Sequence, residues 1–100
     1  MPDGKRGRKP LGRQDWIFGS APRRALLGTV LRQRAPDRGW TKADLARASG
    51  VSTKGGIDEH VDGLASLGLL QQREGRWFPR AQTRLAGALR DVLSELETLP

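Results

Sequence analysis

The chain has no cysteine and one histidine in its 100 residues. No disulfide can staple the fold, and no thiolate metal site can form. A single histidine, His60, without cysteine partners reads as structural rather than as a ligand or acid–base group, so neither a metal nor a cofactor is expected. No apolar run approaches the roughly 20 residues that span a bilayer, which argues against a membrane partner. Met1 is followed by a polar, basic stretch rather than an apolar core, so no signal peptide is expected. Aromatics are only 5% of residues, which makes Trp40, Trp77 and Phe78 candidates for the core. A catalytic constellation is missing too: there is no nucleophile–base pair, no phosphate-cradling loop and no paired carboxylates in a pocket-forming context. The chain therefore reads as a non-enzyme, and its length fits one domain.

What is present is positive charge. Eighteen Lys and Arg against eleven Asp and Glu give a formal charge of +7. A small basic domain most often partners a polyanion. The first fourteen residues carry Lys5, Arg6, Arg8, Lys9 and Arg13 against Asp3, with three glycines and two prolines and almost no apolar side chains. That composition predicts a disordered basic arm over residues 1–14. Lys5-Arg6-Gly7-Arg8-Lys9-Pro10 resembles an AT-hook, except that Lys9 intervenes before the proline. In such a peptide Gly lets the backbone sink into the minor groove while the flanking guanidiniums reach base acceptors.

The ordered part is expected over residues 15–80, beginning at Trp16, Ile17 and Phe18. Pro22 suits the first turn of a helix, which then turns Leu26, Leu27, Val30 and Leu31 inward and Arg23, Arg24, Arg32 and Arg34 outward. Trp40 is expected in a short strand against a later hairpin. Thr41 and Asp44 form an approximate capping box for a helix whose apolar face is Leu45, Ala46 and Ala48. Gly50 permits a left-handed turn, and Ser52 or Thr53 is placed to cap the next helix. That helix buries Ile57, Val61, Leu64 and Leu67 at a 3.6-residue period and ends at Gly68. Leu69 to Arg73 and Arg76 to Phe78 read as two strands joined at Glu74-Gly75.

Two helices joined by a Gly-containing turn and followed by a hairpin form a helix-turn-helix with a wing. With Phe18 to Arg24 leading into Leu26-Leu27, and with Leu45-Ala46, Gly50-Val51-Ser52 and Leu64, Leu67 to Leu70, the segment from Ile17 to Pro79 resembles bacterial winged helix-turn-helix regulators of the ArsR and MarR type. The resemblance implies a mainly α fold with a small β-hairpin, an α+β class, and a DNA-binding regulator. The contacts it implies are Lys42, Ser52, Thr53 and Lys54 at the turn and second helix, and Arg73 and Arg76 at the wing, with Lys5, Arg6, Arg8 and Lys9 added by the arm. The outer face of the second helix departs from that pattern. It carries Asp58, Glu59 and Asp62, which repel phosphates, and Gly55-Gly56 weakens its first turn.

Thr83 is expected to cap a last helix within residues 81–100. Leu85, Leu89, Val92, Leu96 and Leu99 recur at steps of four and three, the rhythm of a coiled-coil seam, with Leu93 beside them. This stripe either packs on the first long helix or forms a homodimer seam; the homodimer is the favoured reading. The whole points to a cytoplasmic, nucleoid-associated protein bound to double-stranded DNA, acting in transcription regulation or nucleoid organisation. The rival is a protein-interaction module whose acidic second helix docks on a basic partner.

Overall fold

The computed structural model describes residues 11–52, 56–80 and 82–100. Its elements run α1 Arg13–Trp16, α2 Ala21–Arg32, α3 Lys42–Ser49, α4 Ile57–Ser66, β1 Leu70–Arg73, β2 Arg76–Pro79 and α5 Arg84–Glu97. The domain is mainly helical with one two-stranded antiparallel hairpin among the described residues, the α+β class expected.

α2 is the central element. Ser20 caps it by accepting from the Arg23 N–H at 3.1 Å, and Pro22 lies in its first turn. Leu26, Leu27, Val30 and Leu31 are all buried, as their spacing predicts. By area alone a fully buried leucine such as Leu26 stabilises the fold by about 1.5–3 kcal/mol. Arg32 on its outer side makes a 2.6 Å ion pair with Glu97 and so clamps α2 to α5. Arg24 is ion-paired with Asp15, which ties α1 to α2.

α3 starts on the capping box. The Asp44 N–H donates to the Thr41 hydroxyl at 3.0 Å, and the Thr41 N–H donates to the Asp44 carboxylate at 3.1 Å. Leu45 and Ala46 are buried; Ala48, expected on the same apolar face, is exposed in the last turn. α4 begins later than expected. Its N-cap is Gly56, with no side-chain cap, so Ser52 sits too far upstream to cap it. Thr53 and Lys54 lie outside the described residues, as do Lys5, Arg6, Arg8 and Lys9.

Ile57, Val61 and Leu64 are buried, but Leu67 is 57% exposed. The helix stops at Ser66, and the N–H groups of Gly68 and Leu69 fold back to the Ala65 and Leu64 carbonyls at 3.0 Å each. This Schellman ending brings Leu69 onto Leu64, and Leu69, fully buried, takes the place that the helical period assigned to Leu67.

The hairpin pairs Leu70 with Pro79, Gln71 with Phe78, Gln72 with Trp77 and Arg73 with Arg76. Glu74 and Gly75 both have positive φ, 51° and 77°, the primed turn that matches strand twist. Trp40 joins the hairpin through a bridge to Trp77, and both indoles are buried.

At the N-terminal end of the described residues, α1 includes two positions, Arg13 and Gln14, that the sequence places in the basic arm. They donate to the carbonyls of Pro100 and Leu96 at the far end of α5. α5, capped by Thr83, is therefore packed into the same domain.

Candidate nucleic-acid interface

The hairpin tip carries Arg73 and Arg76 on either side of its two-residue turn. The Arg73 guanidinium sits 4.2 Å from the centre of the Phe78 ring, a cation–π contact that holds the side chain along the strand. The Phe78 ring in turn lies over Gly39, where an added Cβ would approach ring carbons to 2.7 and 2.8 Å. This close approach seats the hairpin against the loop between α2 and α3.

That loop contributes a third arginine. Arg38 lines, with Arg73, Arg76, Asp37, Glu74 and Phe78, one open depression of about 530 Å³. Three arginines and two acidic residues line it, so its formal charge is net positive. Arg38 is not among the contacts expected at the arm, the turn or the wing, because it belongs to no motif of its own. The available signal was Trp40: once Trp40 pairs with the hairpin, the residues just before it are carried to the hairpin as well.

The other expected contacts lie elsewhere. Lys42 opens α3, and its ammonium is 2.6 Å from the Asp58 carboxylate of α4. The hydrogen bond to Asp58, helped by the charges of Asp58 and Asp62, holds the Lys42 pKa above its ordinary value. Its charge is thus already matched by carboxylates. Ser52 is exposed and lines a separate shallow depression beside Pro22 and Ala25. Arg47 is paired with Asp44 on its own helix. The exposed face of α4 presents Asp58, Glu59 and Asp62. The structure therefore gathers Arg73 and Arg76 with Arg38 and separates them from Lys42 and Ser52.

His60 is half-buried and lines, with Arg23, Leu26, Glu59 and Leu64, a groove of about 390 Å³ between α2 and α4. Among the described residues no group of His, Cys, Asp and Glu could hold a metal ion. No helix among them is long and apolar enough to cross a membrane. Along α5 the domain core takes Ala86 and Leu93, fully or almost fully buried, while Leu89, Val92 and Leu96 are half-buried and Leu85 and Leu99 exposed.

Compared with known proteins, the chain matches no family model, no curated protein and no solved structure.

Proposed function

We infer that the chain is a winged-helix DNA-binding protein that holds duplex DNA through its hairpin and the loop before α3 rather than through α4. α3 and α4 stand as the helix-turn-helix and β1–β2 as the wing. The observation that carries this reading is the meeting of Arg38, Arg73 and Arg76 around one depression. Guanidiniums grouped at a hairpin tip suit phosphate oxygens and the narrow minor groove. The basic residues Lys5, Arg6, Arg8 and Lys9 add charge of the same sign. Such a protein acts at the nucleoid as a transcription regulator or architectural factor. Because α4 faces outward with three carboxylates, the contacts are mostly to the backbone, and sequence discrimination is modest. The test is titration of duplex DNA at several salt concentrations. Steep salt dependence that weakens when the three arginines are replaced supports the reading.

A second reading rests on the Asp58, Glu59 and Asp62 face. In it α4 docks on a basic protein and DNA is secondary. Neutralising that face separates the two readings, since it strengthens DNA binding in the first and removes the partner in the second.

A further inference from the structure

The hairpin leaves one edge open. Trp77 exchanges both its backbone N–H and its C=O with Trp40, at 2.8 Å each, and so bonds away from Gln72, its partner across the hairpin. Pro79, opposite Leu70, has no N–H to offer. The next pair along is bonded, with the Arg80 N–H donating to the Leu69 carbonyl at 2.9 Å. By the alternation of an antiparallel ladder, the N–H and C=O groups of Leu70 and Gln72 therefore point away from β2. Among the described residues no third strand lies beside β1, and Gln71, Gln72 and Arg73 are exposed. The edge carries neither proline nor lysine, two usual guards against a further strand. The charge around it is one-sided. From Gln71 to Arg84 the chain carries Arg73, Arg76, Arg80 and Arg84 against Glu74 alone. At one end of the edge lies a depression of about 420 Å³ lined by Gln71, Pro79, Arg80, Gln82 and Thr83, none of them acidic.

We propose that β1 accepts an extended acidic peptide as an added strand on this free edge. The surface goes beyond the DNA-binding reading and shares only Arg73 with it. Donors and acceptors that alternate along an edge match another peptide backbone. Phosphate offers acceptors alone, so duplex DNA leaves the Leu70 and Gln72 carbonyls unmet. Side chains set the sign of the partner. In an added strand every second residue stands on the same face as Gln71 and Arg73. Carboxylates at those positions meet the Arg73 guanidinium toward the turn and the Arg80 depression at the other end. The residues between them stand with Leu70, whose side chain is turned into the core, and apolar β-branched side chains suit that face. The partner is therefore a segment with an acidic residue at every second position. Such a segment and DNA compete for Arg73.

The test is titration of the full chain with an end-blocked peptide of alternating aspartate and valine, about eight residues long, read by amide hydrogen exchange. Bound peptide should slow exchange of the Gln72 amide by about tenfold or more. Gln72→Pro removes an outward N–H and leaves the ladder to β2 intact. It should weaken peptide binding by about tenfold or more, with circular dichroism and duplex DNA affinity unchanged. Arg80→Glu alters an exposed side chain beyond the strand and leaves the backbone edge untouched. It should weaken peptide binding by roughly three- to tenfold. A lysine–valine peptide of the same length should not bind. The proposal is overturned if the Gln72 amide does not respond to the acidic peptide or if the lysine peptide binds equally well. It is overturned too if folded Gln72→Pro, or Arg80→Glu, binds the acidic peptide as the wild type does. A wild type that sediments as a dimer with its Gln72 amide already protected also overturns it, because a second copy then fills the edge.

Discussion

Trp40 and Trp77 exchange both backbone hydrogen bonds, each 2.8 Å long, across a single bridge between the α2–α3 loop and the hairpin. Their indoles are 3% and 7% exposed, so two apolar anchors and two hydrogen bonds act at one point. The hairpin is otherwise only four residues a side, too short to hold a direction by itself. The bridge gives it that direction, and it places Arg38 beside Arg73 and Arg76. The positive depression thus depends on a buried aromatic pair.

Gly39, next to Trp40, has φ +81° and lies against the Phe78 ring. Gly39→Ala adds a left-handed strain and a clash with a packed ring. The variant should lose about 1–3 kcal/mol of stability, read as a lower urea midpoint with an unchanged slope. It should also weaken DNA binding, because the hairpin must shift to admit the methyl group. Full stability would mean that the ring moves freely and does not seat the hairpin.

Acid stability should depend on Asp44. The Thr41 backbone N–H, with smaller help from the Thr41 hydroxyl and from Arg47 and Arg76, holds its pKa below the ordinary 3.8. A carboxylate depressed in the folded state stabilises above its unfolded value and loses that contribution as pH falls through the folded one. The wild-type urea midpoint should fall as pH drops through and below 3.8. Asp44→Ala should be less stable at neutral pH and flatter across that window. Glu97, lowered from 4.5 by its hydrogen bond to Arg32, has the same sign, so Glu97→Gln should flatten the curve further.

The Lys42–Asp58 pair yields a prediction of opposite direction for binding. Asp58→Asn with Glu59→Gln removes two carboxylates from the α4 face and releases the Lys42 ammonium from its 2.6 Å partner. Non-specific duplex affinity at low salt should rise. If the freed Lys42 reaches a phosphate, the salt slope should steepen by about 0.9. Unchanged DNA affinity, together with loss of a basic protein partner, would favour the second reading of α4.

Much of this architecture was readable from residue spacing. The inward leucines of α2 and the Thr41–Asp44 box follow from local chemistry: helical period and cap donors. The errors have local causes as well. A 3.6-residue period carries Leu67 inward, but the backbone leaves the helix one residue before it and gives the site to Leu69. Ser52 has capping chemistry but the wrong distance, because α4 starts only at Ile57. Arg38 carried no motif of its own, since its placement is a long-range consequence of the tryptophan bridge. The α5 stripe reads as a seam from its period, and Trp16 and Ile17 are expected only as the start of the ordered part. Only the packing of α1 on the end of α5 reveals their exposure.

The most direct test compares wild-type chain with Arg38→Ala/Arg73→Ala/Arg76→Ala by fluorescence titration of a random-sequence duplex across salt concentrations. If these guanidiniums meet phosphates, the variant should bind more weakly at every salt concentration. Its slope of log affinity against log salt should be shallower by roughly 2–3, about 0.9 for each lost contact. A folded variant with wild-type affinity and an unaltered slope would contradict the account, because the depression at the hairpin would then take no part in holding DNA.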